Sequence, residues 1–259
     1  MEKIINGMLF TYDIDKDIIR NDQSIADFFP FNRTQTNQYV DLCIEITRQC
    51  NRKCANCFSM SGPNTYSPNL PYEWVENYLN QHAKDFIRLT LTGGEPLLHP
   101  QITNFLNLPI KFPNIGYVIN TNATLLKRHL STILENRWTV AISIHGSPKT
   151  HSSYSLEPNF DNIIENLNLC AKHTTTHIYS VLHEKISIED IDWLYKKRND
   201  SGAKFLRFIT PRKFGRYGPA ASTAVVNYVK KRLDNTSSIK TNKSRTKLIT
   251  INGEIKETN

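Results

Sequence analysis

The sequence predicts an α/β protein, a partial (β/α)6 barrel with a short N-terminal extension and a C-terminal hairpin tail. Three observations predict it. Short β-rich runs alternate six times with longer runs of helical period, the pattern of βαβ units on a parallel sheet. A cysteine triplet and a Gly-Gly pair fall directly after the first two strand candidates, where α/β barrels gather their active-site loops. The 259 residues suffice for one large domain with a sizeable core.

Taken in order, residues 1–37 read as the extension, with a hairpin around the run MLFTYD. The barrel occupies 38–233. Its strand candidates are Val40–Thr47, Arg88–Thr92, Tyr117–Asn122, Val140–His145, His177–His183 and Phe205–Thr210. Helix candidates follow them at Pro71–Phe86, Ile102–Leu108, Lys127–Asn136, Phe160–His173, Ile188–Gly202 and Ala221–Leu233. Ser187 ahead of IEDIDWL, and Asn159 and Asp161 ahead of Ile163, are helix-start signals. Right-handed crossovers wind such units into an open or partial barrel. Residues 234–259 form a basic tail. Its first part, 234–247, reads as loop, and KLITINGEIK reads as a hairpin turning at Asn252-Gly253.

Side-chain alternation assigns the faces. In the first strand Leu42, Ile44 and Ile46 alternate with Cys43 and Glu45. The apolar set is expected to pack on the helices, leaving Cys43 and Glu45 toward the lumen. Asn120 shares a face with Asn122, and Ser143 with His145. Polar side chains inside a parallel barrel need partners, supplied by one another or by a polar ligand.

No apolar run reaches the roughly 20 residues that span a bilayer, and the acidic first residues do not make a signal peptide. A cytoplasmic protein is expected. Five cysteines, three of them clustered, do not make a disulfide framework. The net charge of +8 is uneven: residues 196–259 hold 16 Lys and Arg against 4 Asp and Glu. Such a quarter suits an anionic partner, such as a nucleotide, RNA or acidic peptide, or simply a solvated basic surface. Arg212, Lys213 and Arg216 flank the barrel mouth after the last strand.

The triplet Cys50, Cys54 and Cys57 has the spacing C-x3-C-x2-C. Thiolates ligate iron–sulfur clusters, and three thiolates with a histidine also make a zinc site, so the triplet alone leaves both open. After the second strand comes Thr92-Gly93-Gly94-Glu95-Pro96. Two glycines let backbone approach a ligand closely, and the glutamate can accept from an ammonium.

The ordered set CNRKCANC, TGGEP, INTNATLL and SIHGSPKTH, one after each of the first four strands, resembles the radical S-adenosylmethionine (radical SAM) superfamily. The likeness covers roughly residues 40–215. It implies one [4Fe–4S] cluster on Cys50, Cys54 and Cys57, with S-adenosylmethionine on the fourth iron. It implies Gly93, Gly94 and Glu95 at the methionine amino group, and Asn120, Asn122 and Ser143 at the ribose or methionyl part. Arg207 is a candidate for the carboxylate by charge and position. In this family an electron from the cluster cleaves the sulfonium to a 5′-deoxyadenosyl radical, which takes hydrogen from a substrate. An external donor of flavodoxin or ferredoxin type is then expected.

Two positions depart from the family pattern. Asn56 stands where an aromatic residue is usual, and Ala123 where a glycine is usual. FITPRKFGR and KLITINGEIKETN resemble the region before and at the opening of an auxiliary-cluster (SPASM) domain of peptide-modifying enzymes, but no cysteine follows Cys170. If the chain is complete no auxiliary cluster can form, and a redox-neutral outcome is expected. A lumen-facing Cys43 is the candidate hydrogen-atom donor, whereas Cys170 sits on an apolar helical face and reads as core. His145, His151 and Tyr154 are candidates for substrate contact. The expected substrate is a peptide or small natural product. The alternatives are a nucleotide or RNA, and a non-catalytic cluster-bearing scaffold.

Overall fold

The structure, a computed structural model, describes residues 1–5, 8–15, 18–21, 40–156, 158–211, 215–240 and 246–258. The extension is more than a hairpin. Strands β1 (Glu2–Ile5), β2 (Met8–Asp13) and β3 (Ile18–Asn21) form an antiparallel meander.

Six strands then alternate with helices as expected, with ends shifted by a residue or two. The strands are β4 (Asp41–Thr47), β5 (Arg88–Gly93), β6 (Gly116–Thr121), β7 (Thr139–Ser143), β8 (Thr176–Val181) and β9 (Phe205–Ile209). The helices are α1 (Tyr72–His82), α2 (Ile102–Leu106), α3 (Leu108–Lys111), α4 (Leu126–Glu135), α5 (Pro148–Ser155), α6 (Phe160–His173), α7 (Ile188–Ser201) and α8 (Thr223–Arg232). Helix α5 was not expected. Its signal is Ser147-Pro148, since proline is well placed at the first helical position.

The tail joins the sheet. Residues 237–240, expected as loop, form β10 (Ser237–Lys240), which pairs parallel with β9. The hairpin of β11 (Thr246–Ile249) and β12 (Ile255–Thr258) turns at the expected place, with Gly253 at φ +73°. Strand β11 lies parallel to β4. The sheet order is β10-β9-β8-β7-β6-β5-β4-β11-β12, an open barrel among the described strands.

Leu42, Ile44 and Ile46 face outward into the main core, as alternation predicts. Helix α6 lays Ile163, Leu167 and Cys170 on that core at helical spacing. Ser187 and Asp190 close a capping box on α7.

The meander closes the barrel at the N-terminal ends of its strands. Phe10, Tyr12 and Ile19 cluster with Val40 and Ile87. Arg88 pairs bidentately with Asp41 at 2.8 and 2.7 Å and lies 5.4 Å from the centre of the Tyr12 ring. Breaking a buried pair of this kind by removing one partner typically costs about 3–5 kcal/mol. The opposite, C-terminal end is left for the site.

Candidate functional site

A cavity lies over the C-terminal ends of β4 to β9. It encloses about 1140 Å³, part of it open to solvent. Cys50, Cys54 and Cys57 line it, as do Gly93, Gly94, Asn120, Asn122 and Ser143. Eight residues predicted from separate motifs thus converge on one space. Phe58, Ile163, Val181 and Ile209 make part of the wall apolar.

The three thiols are free. Burial first, then the charges of Cys57 and Cys50, pushes the Cys54 thiol up to about 12. Burial likewise pushes Cys50 up to about 12, with the N–H of Arg52 pulling the other way. Thiolates so placed need a positive partner. Among the described residues no three His, Cys, Asp or Glu side chains converge on a single point as one metal ion requires. Three free thiols on one loop are a donor set that a multi-iron core can take, each thiolate meeting a different metal. The N–H groups of Arg52 and Ser61 point at the sulfurs of Cys50 and Cys57, at 3.4 and 3.3 Å. Such bonds are a usual support of cluster thiolates.

The Gly-Gly pair is dictated by its neighbours. A Cβ on Gly93 would stand 2.1 Å from the Thr47 carbonyl, and one on Gly94 would stand 2.2 Å from that of Gln49. The chain leaving β5 is pressed against the chain leaving β4, through Gly94 N–H to Thr47 O at 2.7 Å. The absent side chains therefore bring the cysteine loop and the Gly93-Gly94 backbone to one cavity wall.

Glu95 stands behind that wall and does not line the cavity. It is fully buried and accepts from Thr121 Oγ1, Leu97 N and Asn122 N. Among the described residues its Oε2 receives the Asn122 bond alone, which leaves it capacity to accept another. Asn120 and Ser143 touch, with the serine hydroxyl donating to Asn120 Oδ1 at 3.3 Å. Asn122 turns to the cysteine loop and donates to Asn51 Oδ1 at 2.8 Å. Ala123 takes φ +68°, a left-handed conformation that explains why glycine is usual there.

Two further predicted residues, like Glu95, do not line the cavity. Cys43 is in register with Thr90 and Leu248 in the middle of β4 and does not line the cavity. Four residues, or about 13 Å of strand, separate it from Thr47 at the strand end. Arg207 is 2 % exposed and is also absent from the lining. It donates to the Tyr179 hydroxyl at 2.9 Å and lies 4.9 Å from the centre of that ring.

Helix α5 brings in His151, beside His145 in the connection after β7. His145 Nδ1 accepts from Val181 N–H at 3.1 Å, and His151 Nδ1 accepts from His145 N–H at 3.0 Å. Backbone donors fix both tautomers, so each Nε2 carries the proton, and both rings line the cavity. Burial depresses both, His151 to about 3, so the rings are neutral donors. Tyr154 is spent on the Asn56 carbonyl at 2.9 Å. The basic quarter is also partly spent inside the fold. Arg198 donates to the Thr236 carbonyl, Arg216 to Cys54 and Ser61, and Arg232 pairs with Asp192. Arg212 and Lys213 lie outside the described residues.

The sequence model of the Radical SAM superfamily matches residues 44–197, more than half of the chain. The chain is 28% identical over 142 residues to the serine-type anaerobic sulfatase-maturating enzyme of Bacteroides thetaiotaomicron, covering 48% of this chain and 34% of that protein. It is 27% identical over 195 residues to the GTP 3′,8-cyclase of Synechocystis sp., covering 70% and 58%. Among solved structures, Streptococcus suis SuiB bound to S-adenosylmethionine matches with a TM-score of 0.67 at 18% identity, over 84% of this chain and 60% of that one. That last likeness is one of fold. The chain spans about a third to a half of the length of the sulfatase-maturating relatives it matches. No helix among the described residues is long and apolar enough to cross a membrane.

Proposed function

The chain belongs to the radical SAM superfamily, enzymes that use S-adenosylmethionine and a [4Fe–4S] cluster, and we propose that Cys50, Cys54 and Cys57 hold that cluster for chemistry on a peptide or small natural product. The carrying observation is the convergence of three free thiols, the Gly93-Gly94 backbone and the Asn120–Ser143 pair on one cavity. When bound, the cluster and cofactor supply a 5′-deoxyadenosyl radical able to take hydrogen from an unactivated carbon.

The chain's own residues bind, orient and keep water out. Gly93 and Gly94 offer backbone to the methionyl end, and Glu95 Oε2 can accept from its ammonium. Asn120 and Ser143 offer polar atoms to the ribose. The Nε2–H groups of His145 and His151 offer two neutral donors to a substrate or cofactor acceptor. Phe58, Ile163, Val181 and Ile209 keep that part of the wall dry, which protects a reactive intermediate. Neither Cys43 nor Arg207 has a part in this reading: Cys43 lies in the middle of β4, and Arg207 donates to Tyr179.

A relative named for maturing sulfatases acts on a protein chain, which supports the peptide reading. The cyclase likeness, over 70% of this chain, favours a second reading with a nucleotide substrate. One experiment tests both. Protein reconstituted anaerobically should carry about four irons and, with dithionite, release 5′-deoxyadenosine from S-adenosylmethionine. A Cys50/Cys54/Cys57→Ala triple variant should carry none. Short peptides and GTP are then supplied separately, and product masses decide the class. Reconstituted protein that never releases 5′-deoxyadenosine would refute the proposal.

A further inference from the structure

Residues 215–218 lie against the cysteine loop and grip it from three residues. Cys57 and Arg216 exchange both backbone hydrogen bonds, Cys57 N–H to Arg216 O at 2.9 Å and Arg216 N–H to Cys57 O at 2.7 Å. Asn56 Nδ2 donates to the Gly218 carbonyl at 2.7 Å. Gly215, at φ +75°, has the Phe58 and Cys57 carbonyl oxygens 2.3 and 2.5 Å from where a Cβ would be, so no side chain fits between them.

The Arg216 side chain completes the grip. Nη1 donates to the Cys54 carbonyl at 2.6 Å, and Nη2 donates to the Ser61 carbonyl at 2.9 Å. One planar guanidinium thus ties together two points of the loop seven residues apart, a task that suits its fixed fork and not a single ammonium. The thiols are not served alike. Cys50 has the Arg52 N–H and Cys57 the Ser61 N–H. Among the described residues Cys54 has no such N–H donor to its sulfur, but the cation of Arg216 sits on its own carbonyl.

We propose that Arg216 is a positioning residue for the iron–sulfur centre: its backbone and guanidinium fix the loop that carries Cys54 and Cys57, and its charge favours the reduced cluster. This rests on the reading that the three cysteines hold the cluster. Net charge and hydrogen bonds around the sulfurs set cluster potentials. A nearby cation stabilises the form that has gained an electron, so it raises the potential.

The test uses wild-type, Arg216→Lys and Arg216→Gln protein, each reconstituted anaerobically and checked for fold by circular dichroism. The midpoint potential is read by spectroelectrochemistry, and iron loss to a chelator gives the firmness of the loop. Arg216→Gln should show a more negative potential and iron loss several-fold faster than wild type. Arg216→Lys should keep a potential near wild type yet lose iron faster, because its ammonium cannot span both carbonyls. If Arg216→Gln folds but takes up no iron, the lysine variant alone decides by the same two readings. Variants with wild-type potential and wild-type iron loss would overturn the inference. A lysine variant whose potential falls as far as the glutamine variant's would overturn the role of charge. Wild-type protein that takes up no iron would instead overturn the cluster reading beneath it.

Discussion

Glu95 accepts from the Thr121 hydroxyl at 2.7 Å with its side chain wholly out of water. With the N–H groups of Leu97 and Asn122, this one carboxylate ties the end of β5 to the end of β6. Burial, its strongest influence, pushes its pKa up to about 7, against the pull of those donors.

The sign of the resulting pH dependence follows. A folded-state pKa above the unfolded one means that the native protein holds this proton more tightly. The contribution is full below the ordinary carboxylate value and fades as pH rises toward about 7. At about 1.4 kcal/mol per unit, the whole span is worth roughly 3 kcal/mol. The cluster-free protein should therefore lose stability between about pH 5 and about pH 8 through this group, and Glu95→Gln should lose less over the same range. Denaturant midpoints of both proteins at the two pH values give the comparison. Equal losses would show that Glu95 is ionised throughout.

Two glycines should respond differently to alanine. A Cβ on Gly94 meets the Gln49 backbone carbonyl at 2.2 Å, whereas one on Gly116 meets the Tyr12 ring at 2.6 Å. A ring can shift more easily than backbone. Gly116→Ala should cost about 1–3 kcal/mol, as overpacking does, and adding Tyr12→Leu should recover part of it. Gly94→Ala should cost more than Gly116→Ala and find no such rescue. Thermal melts rank the three variants, and the reverse order would contradict the packing described.

Much of this was legible in the sequence, and the failures have physical causes. The period of apolar residues gave the six strands and the helices from α6 to α8 closely. Cys50, Cys54, Cys57, Gly93, Gly94, Asn120, Asn122 and Ser143 all line one cavity, because each lies at or just beyond a parallel strand's C-terminal end. Strand β10 was not legible, since a four-residue run, SSIK, is strand only through its ladder to β9. Cys43 was expected on the inner face, but alternation gives a side and not a depth, and its register is mid-strand. Arg207 was judged by charge, which does not reveal that Tyr179 already receives it. The reach of Arg216 into the cysteine loop spans 162 positions to Cys54 and has no local signal.

Asp190 anchors the helix that carries His151. Its carboxylate accepts from Ser147 N–H and hydroxyl, from Thr150 Oγ1 and from Ser187 N–H. Burial alone would raise its pKa, but these donors outweigh it and hold the pKa below the usual value. A depressed carboxylate stabilises above its unfolded pKa, and this is lost as pH falls through the folded value. Asp190→Ala should cost about 2 kcal/mol at neutral pH by stranding those donors. Asp190→Asn should flatten the acid limb of the stability curve. Denaturation followed between about pH 2 and about pH 7 would show it. An unaltered acid limb would remove Asp190 from the account.

Arg207 offers the clearest contrast between charge read from sequence and contact read from structure. If it served the cofactor carboxylate, its loss would weaken S-adenosylmethionine binding and leave folding nearly intact. The structure instead gives it to Tyr179 and Ser238, with its guanidinium 4.9 Å from the Tyr179 ring centre and 5.6 Å from that of Phe205. Arg207→Met keeps most of the stem and removes the charge and the fork. The variant should lose about 2 kcal/mol of stability, through the hydrogen bond withdrawn from Tyr179 and the lost cation–π contact. Its affinity for S-adenosylmethionine, measured by calorimetry on reconstituted protein, should stay near that of wild type. A tenfold or greater loss of affinity, about 1.4 kcal/mol, with unchanged melting would return Arg207 to the cofactor.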